Sequence, residues 1–129
     1  MSALADQLSV ARLKTIGLWA LKLVLAALFL LAGGAKLAGV PAMVAVFEQV
    51  GLGQWFRYFT GMLEVVGALL LLWPVTTALG AVILMIVCIG AALAQLLVLH
   101  EDVIHAIVLA IPLAAIAWYH RDQFGGLNY

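Results

Sequence analysis

Charged side chains are scarce in this chain of 129 residues, and the two signs balance. Asp, Glu, Lys and Arg make up 9% of the sequence, with six basic and six acidic residues. About a quarter of the residues of a soluble domain are charged. A net charge of zero leaves no basic patch for phosphates, so the composition excludes a nucleic-acid-binding protein. It also excludes a disordered segment, which would be rich in charge.

Cysteine is almost absent as well. Cys88 is the only cysteine, so the chain can form no internal disulfide and contains no Cys-x-x-Cys pair. This excludes thiol–disulfide exchange within one chain. Cys88 lies in an apolar stretch, and we expect it to pack as a small apolar side chain. The sequence also lacks a nucleophile–base pair, a phosphate-binding loop and a Ser/His/Asp set.

Apolar residues are abundant instead, at 67% of the chain. A chain of this length cannot bury so much apolar surface in its own core. The apolar residues form four long runs, at about 16–36, 56–73, 77–99 and 103–119. Each run is close to the roughly 20 residues that a membrane helix needs, whereas barrel strands would be shorter and would alternate. The sequence predicts an all-α integral membrane protein, a four-transmembrane-helix bundle that forms a single membrane domain over residues 1–129.

Two of the connections between these runs are short turns, and one is longer. Pro74 closes the second run, and His100-Glu101-Asp102 separates the third from the fourth. The longer connection, from Ala38 to Trp55, carries apolar residues at positions i, i+3, i+4 and i+7. This spacing predicts a short interfacial helix over about 42–50, between the first and second spans. The segment from Ala3 to Lys14 is predicted to lead into the first span along the interface.

The basic residues favour one orientation in the membrane. With four predicted spans, both termini and the turn at Pro74 lie on the same side. The basic residues of that side are Arg12, Lys14, Arg121 and, close to its edge, Lys22. The positive-inside rule therefore places both termini in the cytoplasm, with the chain in the cytoplasmic (inner) membrane. An aromatic belt is predicted on the same side, formed by Trp19, Trp73, Trp118 and Tyr119.

Glu64 is the most informative polar residue, because it lies inside a predicted span. It follows Phe56 by eight residues, which places it about 12 Å into the membrane. A charge at the centre of a bilayer costs about 3 kcal/mol on insertion scales. Gly61 and Gly67 share its helix face and allow another helix to approach closely. Glu64 is therefore predicted to face the interior of the bundle.

Lys36 is the natural partner of Glu64, because it ends the first span on the side where the second begins. Its long stem reaches either outward to the interface or inward to Glu64. Other polar residues fall in the same half of the membrane. The candidate ligand or proton site consists of Lys36, Glu64, Gln95, Arg57, Glu48 and His105. The predicted helix-packing positions are Gly33, Gly61, Gly67 and Ala91. A purely structural ion pair remains the alternative.

The histidines do not make a convincing metal site. His100 and His105 are five residues apart and do not share a helix face. Glu101 and His105 have i, i+4 spacing, but no further pair of ligands accompanies them. No metal site and no intrinsic cofactor are predicted.

Two segments of the chain resemble a known family. The first reads Phe29-Leu-Leu-Ala-Gly-Gly-Ala-Lys36-Leu, and the second contains Gly61-x-x-Glu64-x-x-Gly67. Their order and spacing resemble the DoxX and DoxX-like family over about residues 29–97. The resemblance implies a four-helix membrane fold. It also implies a link to quinones, because the family is named after a subunit associated with quinol oxidase and thiosulfate:quinone oxidoreduction.

Three functions are compatible with these features. The first is an accessory subunit of a quinone-linked membrane redox system, in which Lys36 and Glu64 hold a quinone headgroup or relay its protons. Such a subunit needs a membrane protein partner that supplies electrons. The second is a membrane assembly or scaffold factor, whose polar half docks a partner. The third is a small, homo-oligomeric, proton-coupled exporter, although small multidrug transporters carry their glutamate in the first helix.

Overall fold

The computed structural model describes residues 2–100 and 102–123, and within these ranges the regular structure is entirely helical. The predicted all-α class is therefore confirmed. The helices are α1 (Ser2–Ala38), α2 (Pro41–Val50), α3 (Gln54–Leu72), α4 (Thr77–Ala94) and α5 (Ile104–Tyr119). A short π-helical segment, Gln95–Leu99, extends α4.

Among the described residues, three helical segments are long and apolar enough to cross a membrane. They are Ala3–Ala38, Gln54–Leu72 and Thr77–Leu99. The fourth predicted span corresponds to α5, which has 16 residues. At 1.5 Å per residue α5 is about 24 Å long, shorter than the hydrocarbon core of about 30 Å. The prediction of four spans therefore stays a prediction, and so does the interfacial position of α2.

Helix α1 begins much earlier than the predicted first span at residue 16. The segment from Ala3 to Lys14 continues into α1 without a break, because it contains no proline and no glycine. At 37 residues, α1 is about 55 Å long. Its residues 3–17 are all exposed, so the N-terminal part of α1 extends beyond the rest of the bundle.

The two ends of α2 follow from local backbone chemistry. Pro41 stands in the first turn, where its missing N–H costs nothing. Gly51 ends the helix with a φ of 83°, and its N–H donates to the carbonyl oxygen of Phe47. A residue with a side chain would be strained in that left-handed conformation. The result is a short helix that packs mainly against α3.

The long helices pack in the order α1, α3, α4, α5, with only slight contact between α1 and α5. The buried apolar core contains Leu25, Ala26, Phe29, Ala68, Leu71, Ala81, Leu84, Cys88, Leu113 and Ile116. Cys88 is thus a buried core residue. Many large apolar side chains on the outside of the bundle remain exposed, as expected for helices that face lipid.

Glycines bring α3 and α4 together. A Cβ atom added at Gly80 would lie 2.5 Å from the backbone nitrogen of Leu71 and 2.7 Å from the carbonyl oxygen of Gly67. No side chain fits in that space, so the two backbones touch directly. Close approach of this kind replaces the hydrophobic driving force that helices lack in lipid.

Candidate functional site

The crossing of α1 and α3 is formed by a second pair of glycines, Gly33 and Gly61. A Cβ atom at Gly33 would lie 2.9 Å from the carbonyl oxygen of Gly61 and 3.0 Å from the Cβ of Glu64. In return, a Cβ atom at Gly61 would lie 3.1 Å from the Cβ of Lys36. Each charged residue therefore starts directly over the glycine of the opposite helix.

This crossing joins Lys36 and Glu64 in a buried ion pair. The Nζ atom of Lys36 lies 2.6 Å from Oε1 of Glu64, and the two side chains are 15% and 3% exposed. The stem of Lys36 therefore reaches inward rather than toward the membrane surface. The second carboxylate oxygen, Oε2 of Glu64, is buried without a hydrogen-bond partner among the described residues. Buried acceptors are usually paired, so Oε2 is available to a donor that enters the site.

Arg57 lies next to this pair, and it is also buried. Its guanidinium donates through one terminal nitrogen to the carbonyl oxygen of Lys36. That carbonyl belongs to the last turn of α1, where backbone acceptors lack helical partners and a positive charge is favourable. The guanidinium also lies 4.3 Å from the ring centre of Tyr58. Arg57 thus holds the end of α1 against the start of α3.

Gln54 completes the arrangement, although the sequence did not single it out. Its Oε1 accepts a hydrogen bond of 2.7 Å from Nε of Arg57, and its Nε2 donates to the carbonyl oxygen of Val44 at 3.1 Å. Gln54 therefore connects α2 to α3 and orients Arg57. The available signal was its i, i+3 spacing to Arg57 on one helix face.

Three of the six predicted site residues form no hydrogen bond or ion pair with Lys36 or Glu64 in the described part of the chain. Gln95 stands in the π-helical segment and is partly buried, and its Oε1 has no hydrogen-bond partner in the described ranges. Glu48 on α2 and His105 on α5 are exposed. The structure therefore unites Lys36, Glu64 and Arg57, places Gln95 separately at the end of α4, and leaves Glu48 and His105 on the surface.

The turn before α5 offers no metal centre in the described part of the chain. His100 is exposed and has a φ of 54°, and its N–H donates to the carbonyl oxygen of Gln95. Glu101 lies outside the described residues. Within residues 2–100 and 102–123, no group of three or more His, Cys, Asp or Glu side chains is placed to hold a metal ion.

The predicted packing positions have different environments. Gly33, Gly61 and Gly67 are buried at helix crossings, whereas Ala91 is exposed on α4. Gly80, which makes the tightest approach, is not among the predicted packing positions. Its partner helix cannot be identified from a single sequence, so its packing role became clear only in the folded chain.

Lys22 is one of the basic residues that favour the predicted orientation in the membrane. Its side chain is also among the most buried polar groups. It is 3% exposed, and its ammonium lies 4.7 Å from the ring centre of Trp19. It stands at the end of the bundle opposite to Lys36, so it does not belong to the site around Glu64.

The site around Glu64 has two chemical capacities. The free Oε2 atom can accept a hydrogen bond or a proton, and the Lys36 ammonium balances the charge that remains on the carboxylate. The carboxylate of Glu64 is 3% exposed and lies at the crossing of α1 and α3. Such a group inside a membrane bundle is a default candidate for proton or ligand binding.

Comparison with known proteins agrees with the predicted resemblance. Comparison with curated proteins and with solved structures found no match to this chain. Residues 20–120, which include all of α2 to α5 and about half of α1, match the family model described as the DoxX-like family. This match covers far more than half of the 129 residues. Together with the long apolar helices of the chain, it identifies a membrane protein. The chain belongs to the DoxX-like family.

Proposed function

We propose that this protein is an accessory subunit of a quinone-linked redox system in the cytoplasmic membrane, and that Glu64 is its proton-accepting group. The observation that carries the proposal is the buried carboxylate of Glu64, with one oxygen paired to Lys36 and the other without a partner. Keeping a half-satisfied carboxylate inside a membrane protein is costly unless a ligand or a proton uses it.

The residues of the site fit a quinone headgroup in its two redox forms. A bound quinone supplies two-electron, two-proton chemistry. Oε2 of Glu64 offers an acceptor for a hydroxyl group, and the Lys36 ammonium offers a donor for a carbonyl oxygen. Glu64 would hold the proton at Oε2, while Lys36 stabilises the carboxylate after the proton leaves. Electrons must come from a partner protein.

The proposed membrane arrangement has four spans, with α5 as the shortest. Four spans place both termini in the cytoplasm, which agrees with the basic residues at that end. Because α5 is shorter than the hydrocarbon core, the bilayer would thin locally beside it. In this arrangement α2 lies at the opposite interface, next to the entrance to Lys36 and Glu64.

The test is quinone-dependent activity in native membranes. Glu64→Gln removes the proton acceptor with little change in shape, and we expect about a tenfold or greater loss of activity, by analogy with other acid–base groups. Glu48→Gln is the matched control, because Glu48 carries the same chemistry on an exposed surface. Equal activity of the Glu64→Gln variant and the wild type, at equal protein levels, would disprove the proposal.

An assembly or scaffold role is the second candidate, and one observation favours it. Gly34 on α1 and Gly90 on α4 have open space around them, and Ala91 is exposed. Small residues on an outward face allow a helix of another protein to approach closely. For an assembly factor, Gly90→Leu would lower the abundance of the partner complex, whereas Glu64→Gln would leave that abundance unchanged.

A further inference from the structure

Lys22 presents a buried positive charge without a counter-ion. Its side chain is 3% exposed, and no carboxylate of residues 2–100 or 102–123 forms an ion pair with it. Its one close favourable contact in these ranges is the Trp19 ring, at 4.7 Å from the ring centre. Burying an ammonium is costly unless it is paired. The environment of Lys22 is therefore suited to an anion.

His120, at the end of α5, presents a second donor without an acceptor. The backbone N–H of Ala78 donates to Oε1 of Gln123, which fixes the orientation of the Gln123 amide group. The amide nitrogen of Gln123 then donates to Pro74 and points to Nδ1 of His120 at 3.4 Å. An amide nitrogen only donates, so Nδ1 accepts and the hydrogen of the neutral ring lies on Nε2. That Nε2 is buried and has no partner among the described residues.

Lys22 precedes Gly33 by 11 residues on α1, and Pro74, which Gln123 contacts, follows Gly61 by 13 residues. Because Gly33 and Gly61 face each other, Lys22 and His120 lie at the same end of the bundle. Burial and the Lys22 ammonium both lower the pKa of His120, and the exposed Asp122 opposes them. The neighbouring hydroxyl groups are already engaged, since Thr76 donates to the carbonyl oxygen of Leu70 and Thr77 to that of Trp73. Lys22 and His120 are therefore buried donors at this end of the bundle that have no acceptor among the described residues.

The position of the two donors relative to the membrane indicates the source of the anion. Exposed aromatic side chains surround this end of the bundle, as they do at membrane interfaces. They are Trp19, Trp73, Trp118 and Tyr119, of which Trp19 is the least exposed. Lys22 precedes Lys36 by 14 residues, or about 21 Å along α1. This separation is about 9 Å less than the thickness of the hydrocarbon core. With Lys36 near one edge of the core, Lys22 lies inside the other edge, within reach of the lipid phosphates through its long side chain.

We propose that Lys22 and His120 bind the phosphate of an anionic membrane lipid at the end of the bundle where α1 meets α5. A phosphate oxygen accepts hydrogen bonds from both donors, and its charge balances the buried ammonium. Arg121 is exposed and stands next to His120, so it adds a positive field at this end of the bundle. This site is separate from Glu64 and does not depend on the quinone-linked function.

Native mass spectrometry of the full chain with added lipid tests this proposal. We expect the wild type to retain phosphatidylglycerol about tenfold more than phosphatidylcholine, since the second lipid has no net charge. Lys22→Met and His120→Phe should each reduce this retention about fivefold or more. Lys14→Met is the matched control, because Lys14 is exposed on the same helix, and we expect less than about a twofold change.

Two rescue variants separate binding from folding. Lys22→Arg keeps the charge, and His120→Gln keeps an N–H donor near the position of Nε2, so both should retain the lipid. Equal retention of the two lipids by the wild type would overturn the proposal, as would unchanged retention by Lys22→Met. Displacement of the lipid by millimolar inorganic phosphate would also overturn it and would identify a free-anion site instead.

Discussion

Gly33 and Gly61 lie face to face where α1 crosses α3, and the carbonyl oxygen of each occupies the space that a side chain on the other would need. The distance from an added Cβ to the opposite oxygen is 2.9 Å at Gly33 and 3.0 Å at Gly61. Because the backbones touch here, the side chains one turn further along each helix meet across the crossing. Those side chains are Lys36 and Glu64, so helix packing and ion-pair geometry are one feature.

The glycine crossing predicts a sharp contrast between neighbouring positions. Gly61→Ala forces a methyl group against the Gly33 backbone, and we expect a loss of about 1–3 kcal/mol of stability. Gly34→Ala is the control, since nothing lies within 4 Å of that position. It should be neutral or stabilise the helix by about 0.5–1 kcal/mol. Thermal unfolding in mild detergent measures both, and equal melting temperatures would contradict the close crossing.

The ion pair predicts that one substitution is worse than two. Lys36→Met leaves the Glu64 carboxylate buried without its counter-charge, which should cost about 3–5 kcal/mol. Adding Glu64→Gln to the same chain removes that charge, so the double variant should regain much of the loss. A double-mutant cycle of unfolding in detergent gives the coupling. Additive effects of the two substitutions would show that the pair contributes no interaction energy.

Arg57 predicts a difference between buried and exposed arginines. Lysine keeps the charge of Arg57 but cannot donate to Gln54 and to the carbonyl oxygen of Lys36 together. Arg57→Lys should therefore cost about 1–3 kcal/mol of stability. Arg121→Lys is the comparison, because Arg121 makes similar contacts with Trp118 on the exposed surface. We expect it to cost less than about 0.5 kcal/mol, and a reversed order in chemical denaturation would contradict the role of Arg57.

His120 predicts a loss of stability at acidic pH. Burial and Lys22 lower its pKa below the ordinary value of 6.5 in the folded protein, against the opposing Asp122. As the pH falls below about 6.5, the unfolded chain therefore binds a proton that the folded chain resists, and folding is disfavoured. The stability that is lost in this way is fully regained above that pH. Melting temperatures between pH 8 and pH 5 should fall less in His120→Gln than in the wild type, and parallel curves would refute the assignment.

Part of the site could be predicted from single positions and part could not. Lys36 and Glu64 were identified because a charge within an apolar run is costly and must find a partner. Gln54 carries no such signal, since an amide at the start of a helix is common, and its role depends on Val44 and Arg57. Glu48 and His105 were grouped with the site because they share a membrane level, but level alone does not decide which face of a helix turns inward.

The amino-acid sequence by itself determined the all-helical class, the membrane setting and the residues whose burial must be compensated. These follow from composition and from the cost of charge in lipid, which are properties of each segment alone. The folded chain alone shows which glycines touch, that the stem of Lys36 turns inward, and that Lys22 and His120 share one end of the bundle. The reason is that these contacts join helices that are distant in the chain. The rotation of each helix about its axis is selected by backbone packing at Gly33–Gly61 and Gly67–Gly80.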